Sequence, residues 1–169
     1  MWRYRIMLYS YRKKWTVLLI PEVMKTFQKY KQVHNEQDEG GGYLFGKLFG
    51  NQVVIEVASE PQPEDKRGRH FFERDKKAGQ KTLSNLWAQS KEDIFLAGEW
   101  HTHPETNPTP SPYDKKEIKK GFKHNHYPLR FMLVVIVGNG AFSDVWVGVK
   151  TTFRLRHLDV GGCQLWRSL

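Results

Sequence analysis

His101-Thr102-His103-Pro104-Glu105-Thr106-Asn107-Pro108-Thr109-Pro110-Ser111-Pro112-Tyr113-Asp114 is the stretch on which the reading of this chain turns. On an extended segment, residues two apart face the same side, so His101 and His103 can address one point. Four prolines, at 104, 108, 110 and 112, end the strand and stiffen the return path. Ser111 followed by Pro112 fits the N-cap and first position of a helix running toward Phe122. Asp114 then falls in the first turn of that helix, from which it can swing back to the histidines. Two imidazoles and a carboxylate form a zinc-type set with a fourth position left for water, the pattern of catalytic rather than structural zinc.

Each piece alone has a plainer reading. Ser-x-x-Asp at a helix start is a capping box. His-x-His recurs by chance, as His124-Asn125-His126 shows, which reads as the fraying end of the same basic helix. The conjunction of both histidines, the serine and the aspartate at fixed spacing in one strand–loop–helix unit is what points to a metal.

Outward from this stretch, Ile94 to His101 reads as the strand that delivers the histidines. Phe131 to Val137 is a continuous apolar run, typical of a strand covered on both faces. Asn139-Gly140 signals a hairpin leading into Ala141 to Val149. Nearer the N-terminus, Thr16 to Ile20 reads as a short buried strand partnered by Trp2 to Tyr9. Pro21 opens a helix whose Val23, Met24, Phe27 and Tyr30 carry helical spacing. Tyr43 to Phe49 and Gln52 to Ala58 read as paired strands joined through Gly50-Asn51. Ser59 to Gly79 is polar and proline-containing, so it reads as a surface excursion. A helix with Leu83, Leu86 and Trp87 on its buried side is expected to follow. Strands and helices interleaved in this way predict a layered α/β architecture. With no repeat and no Gly/Ser-rich linker, one domain over residues 1–169 is expected.

Composition narrows the function classes. With 39% hydrophobic and 14% aromatic residues, disorder is excluded as the dominant state. The longest apolar run, Phe131 to Val137, is too short to cross a bilayer, and Met1 to Ser10 lacks the features of a signal peptide. The single cysteine, Cys163, can supply neither an internal disulfide nor a thiolate metal cluster. A reducing cytoplasm is the expected location, without a membrane. Lys and Arg total 27 against 18 Asp and Glu, a net charge of +9, which attracts polyanions or an acidic protein partner. The excess is spread along the chain and no nucleic-acid-binding motif accompanies it, so nucleic acid is not an expected partner.

A hydrolytic metal site also needs a carboxylate outside the metal shell, to take a proton from water and return one to the leaving nitrogen. Glu39, in Asp38-Glu39-Gly40-Gly41-Gly42-Tyr43-Leu44-Phe45-Gly46, is the candidate. It is expected at the start of a strand whose glycines let the backbone approach the metal centre closely. Glu36, Asp38 and Glu99 are its rivals. Glu99 alternates with His101 and His103 on one strand face, so spacing alone allows it as a ligand or a supporting group.

His-x-His, seven residues, then Ser-x-x-Asp, preceded by the Glu39 to Gly46 segment and Lys47-Leu48, resembles the JAB/MPN (JAMM) metallopeptidases. The resemblance runs over roughly Glu39 to Val149. It implies a three-layer αβα domain with a mixed central sheet, of the cytidine-deaminase-like type. It further implies hydrolysis of peptide or isopeptide bonds after a ubiquitin-like C-terminus. In this reading His101, His103 and Asp114 bind one zinc ion, Glu39 is general base and then acid, and Ser111 helps hold the tetrahedral oxyanion. Gly98 to Glu105, with Pro108, Pro110, Ser111 and Phe72-Glu73-Arg74-Asp75, is similar to bacterial JAB proteins of mobile elements and CBASS antiphage operons. That narrower likeness implies removal of a conjugated nucleotidyltransferase or ubiquitin-like modifier from target lysines. It also implies a functional link to a ubiquitin-activating and -conjugating-like enzyme.

Two other readings stand beside the isopeptidase. One is a peptidase that processes a ubiquitin-like or sulfur-carrier precursor with the same residues. The other is a catalytically silent MPN-type scaffold or basic nucleic-acid-binding module, a class in which metal ligands are typically lost. Within Ser59 to Gly79, Lys66, Arg67, Arg69 and Arg74 are candidates for gripping the modifier's tail or an acidic surface.

Overall fold

The computed structural model describes residues 5–140 and 145–165. The chain opens with β1 (Arg5–Tyr11) and β2 (Trp15–Leu19), then α1 (Pro21–Lys29), β3 (Gly41–Phe49) and β4 (Gln52–Ala58). A small pair, β5 (Lys66–Gly68) and β6 (Phe71–Glu73), precedes α2 (Lys76–Gln89) and β7 (Phe95–Thr102). Then come α3 (Pro112–His124), β8 (Met132–Val137), β9 (Val145–Lys150), β10 (Leu155–His157) and β11 (Asp159–Leu165). Residues 2–4 of the expected first strand and 141–144 of the expected strand after Gly140 lie outside the described residues. β1 and β2 pair antiparallel, as expected of the N-terminal segments.

Nine strands form one mixed sheet in the order β10-β9-β8-β7-β3-β4-β2-β1-β11, with β2·β4 and β7·β8 parallel and the other pairs antiparallel. Period-two alternation divides its side chains between two faces. On β8, Leu133, Val135 and Val137 enter the main core with Val23, Met24 and Phe27 of α1, whereas Met132, Val134 and Ile136 pack with Ile118 of α3. Tyr43 and Phe45 of β3 meet Leu83 and Leu86 of α2 on that second side. The layers are therefore α1, sheet, and α2 with α3. Although β1 and β8 are far apart in the strand order, Tyr11 of β1 meets Phe131, just before β8, edge-on at 5.3 Å, and both rings belong to the core that α1 enters.

One irregularity sets the site's orientation. Leu44 faces Gly98 while Phe45 faces Leu96, which leaves Ala97 as an extra residue, a β-bulge. The bulge returns Glu99 and His101 to the face that carries α2 and α3.

The Ser59 to Gly79 segment is more structured than its composition foretold. It holds the β5–β6 hairpin, Phe72 is buried, and Gly79 already lies in α2, whose N-cap Asp75 accepts from Ala78 N–H. Of its four basic candidates, Arg69 donates to the carbonyls of His34 and Asn35, and Arg74 to those of Gly42 and Trp100. These two are fasteners between loops, and only Lys66 and Arg67 lie exposed on the surface. Trp87, expected on the buried side of its helix, is 44% exposed.

A Cβ built on Gly98 overlaps the Leu133 carbonyl across the parallel β7·β8 pair. Gly98→Val should lower stability by about 3 kcal/mol or more, because backbone cannot yield as a flexible side chain does. A urea-unfolding midpoint equal to the native one would contradict this close approach.

Candidate metal centre

β7 is pinned from below. Trp100 is fully buried, donates from Nε1 to Ser59 O at 3.0 Å and packs on Phe27 with ring centroids 4.9 Å apart. Alternation then turns His101 to the opposite face. His103 N–H donates to Val137 O at 2.9 Å, so β8 holds the chain for one residue beyond the strand. From the other side comes the start of α3. Ser111 is its N-cap and Pro112 opens the helix, while Ser111 and Asp114 form a reciprocal capping box at 3.1 and 2.7 Å. The plainer reading of Ser-x-x-Asp is therefore true, and it orients the ligand reading: capping fixes the carboxylate of Asp114 toward the histidines.

His101 Nε2 and His103 Nε2 are 3.1 Å apart. Asp114 Oδ1 lies 3.3 Å from the first and Oδ2 lies 3.1 Å from the second. All three residues are buried, and they form a group able to hold a metal ion. Spacings near 3.1–3.3 Å suit neighbouring tetrahedral ligands at about 2.0–2.2 Å from zinc. The donor set and spacing thus fit the metal that the sequence implies. His103 Nδ1 is buried without a hydrogen-bond partner among the described residues, and Glu105 Oε2 lies 3.7 Å away.

The electrostatics follow from burial. His101 is held neutral down to about 4 by desolvation, against the pull of Asp114. Burial also works against charge on His103, but Asp114, Glu39 and Glu105 outweigh it and raise its pKa. Burial would raise Asp114, yet hydrogen bonds from His101 and His103 hold it well below the usual carboxylate range. A carboxylate facing two imidazoles carries the negative charge that a cation would meet.

Glu39 is 2% exposed, and its Oε2 has no hydrogen-bond partner among the described residues. Desolvation pushes its pKa up to about 8, with His103 opposing and Asp114 adding. Its segment runs along the strand of the histidines, for Gly41 pairs with His101 and Thr102 N–H donates to Gly40 O. Two details differ from the sequence reading. Glu39 precedes β3 by two residues, and two of the glycines after it answer to other neighbours, a Cβ at Gly40 striking Tyr30 and one at Gly42 striking Ser59, while one at Gly41 strikes Phe72 and the Trp100 carbonyl of the histidine strand. Glu36 and Asp38 are exposed. Glu99 is buried but stands outside the group of three, with Arg74 Nη1 3.7 Å from its Oε2. Burial raises its pKa in spite of Arg74. It lines a cavity of about 120 Å³ with Arg74, Tyr43 and Gly121.

Sequence reasoning passed over Gln32 and Thr102, both buried polar residues bonded to the backbone around Glu39. The position of Thr102 between two histidines was a usable signal. Nothing in the pattern around Gln32 singles it out.

A protein of Escherichia coli, named CD-NTase/cGAS isopeptidase, is 37% identical over 142 residues, covering 84% of this chain and 86% of its own. One of the same name from Vibrio cholerae is 31% identical, covering 79% and 81%. A solution structure of a Desulfitobacterium hafniense protein shares the fold with a TM-score of 0.56 at 15% identity, over 80% of this chain and 84% of that one. The family described as prokaryotic homologs of the JAB domain matches residues 28–153, a span that holds Glu39, both histidines, Ser111 and Asp114. The chain belongs to that JAB-domain family.

Proposed function

We propose that this protein is a zinc-dependent isopeptidase that releases a conjugated protein from the lysine side chains of its targets, and that the conjugate is a CD-NTase of an antiphage operon. The observation that carries the reading is the buried convergence of His101, His103 and Asp114, with the buried carboxylate of Glu39 on the segment that pairs with their strand. The names of relatives matched over most of their length support the substrate class.

His101, His103 and Asp114 would hold the ion. When bound, zinc supplies a Lewis acid that polarises the carbonyl and lowers the pKa of water. Glu39 receives at its carboxylate the proton of the attacking water, as the carbon–oxygen bond forms. It then delivers that proton to the lysine ε-nitrogen as the carbon–nitrogen bond breaks, so the amine leaves neutral. A nearby cation favours the ionised form of Glu39, opposing the desolvation that otherwise holds it protonated. The Ser111 hydroxyl uses its oxygen to accept from Asp114 N–H and keeps its hydrogen for the oxyanion.

Glu39→Gln should keep stoichiometric zinc and lose turnover by about 100-fold or more, whereas His103→Ala should lose the zinc itself. The probe is a CD-NTase joined through its C-terminal carboxyl to the lysine side chain of a tag peptide. A fully metallated His103→Ala protein, or native turnover in Glu39→Gln, would contradict the assignment.

Metal-free protein should lose stability as pH rises through 7 to 8. Folded Glu39 retains its proton up to about 8, while the unfolded chain releases it near 4.5, so its contribution falls across that window. The raised pKa of His103 acts in the same direction above 6.5. His101, lowered to about 4, contributes a rise only between about 4 and 6.5. Thermal midpoints of chelator-treated protein should therefore decline from pH 7 to 8, less so in Glu39→Gln. Added zinc should reverse the slope, because ligation displaces protons. A midpoint that rises with pH in the metal-free native protein would contradict the buried, protonated Glu39.

A further inference from the structure

Thr102 stands between the two histidines and points to the other face of β7. Its side chain is fully buried; Oγ1 accepts from Gly40 N–H at 2.9 Å and donates to Gln32 Oε1 at 3.1 Å. Its own N–H donates to Gly40 O at 2.8 Å. Gln32 is 1% exposed, in the loop between α1 and Glu39. From Nε2 it donates to Gln37 O at 3.1 Å and to Arg69 O at 2.9 Å, so both amide hydrogens and the carbonyl are engaged. Glu39 N–H donates to Gly68 O at 2.9 Å.

The backbone from Gln37 to Gly40 is therefore held at four atoms: the Gln37 carbonyl, the Glu39 N–H, and both polar groups of Gly40. Glu39 Oε2 has no hydrogen-bond partner of its own among the described residues. Its place is consequently set by the clamped backbone beneath it. The clamp is anchored on the residue that separates the two histidines, so one hydroxyl registers the base segment against the metal strand. Two fully buried polar side chains with every partner satisfied also make a stiff connection, because any displacement leaves a buried carbonyl or hydroxyl unpaired.

We propose that Gln32 and Thr102 are positioning residues for Glu39, their side-chain relay fixing how far its carboxylate sits from His101, His103 and Asp114. The inference rests on the isopeptidase reading above, in which Glu39 moves the proton. Neither residue touches the reacting atoms. Their contribution is geometric, and misplacement of a catalytic group by about 1 Å can cost up to about 100-fold in rate.

The test is Thr102→Val, which keeps the branched shape and removes the hydroxyl, alongside Thr102→Ser, which keeps the hydroxyl. With the same CD-NTase–tag isopeptide, Thr102→Val should lower kcat about 10–100-fold, with KM and zinc content unchanged. Thr102→Ser should restore most of the loss. Gln32→Met, which severs the relay from its other end without altering the metal strand, should give the same split. Native kcat in both Thr102→Val and Gln32→Met would overturn the proposal, as would failure of Thr102→Ser to rescue. Loss of zinc in Thr102→Val would overturn it too, by placing the effect on the histidines. Native turnover in Glu39→Gln would instead remove the base, and with it the reading on which the relay depends.

Discussion

Two imidazole nitrogens 3.1 Å apart and a carboxylate within 3.3 Å of both, all out of water, form the constraint around which this fold is arranged. Such donors are expensive to bury and to aim at one another, because none can point at solvent and they compete for the same space. The surroundings impose the arrangement. Trp100 anchors the strand from the core, the bulge at Ala97 turns His101 to the correct face, and the capping box turns Asp114 to meet it. A cation is the species that such a set satisfies, since it accepts two lone pairs and a negative charge together.

Around this centre, charge is managed by a few buried partners. Arg74 reaches from the end of β6 to the carbonyls of Gly42 and Trp100 and to the carboxylate of Glu99. It thereby ties the hairpin, β3 and β7 together with one planar group, which a lysine's single ammonium does not reproduce. Glu99 and Glu39 are both buried carboxylates with raised pKa values, yet their settings differ. Glu99 has a guanidinium beside it, whereas Glu39 Oε2 has no hydrogen-bond partner among the described residues.

Much of this was legible in the chain itself. The apolar run of β8, the proline-opened helices α1 and α3, and the His-x-His with Ser-x-x-Asp each carry a local signal, and each stands where its signal predicts. Less legible were features decided by distant neighbours. Arg69 and Arg74 read as surface charges because the carbonyls that hold them lie far away in sequence, on the segment around Glu39 and at Trp100. The side chains that the glycines after Glu39 must lack are excluded by Tyr30, by Phe72 with the Trp100 carbonyl, and by Ser59, neighbours that no local pattern names. Trp87 fits a helical apolar pattern, yet α2 covers the sheet with Leu83 and Leu86 and leaves the indole outside.

X-ray absorption at the zinc edge of the zinc-loaded protein tests the central claim most directly. Ligation by His101, His103 and Asp114 predicts nitrogen and oxygen scatterers at about 2.0–2.2 Å, outer-shell imidazole scattering from two histidines, and no sulfur near about 2.3 Å. The Glu39→Gln protein should give the same ligand spectrum apart from small changes in the water. A sulfur scatterer, or imidazole scattering that accounts for fewer than two histidines, would contradict the site.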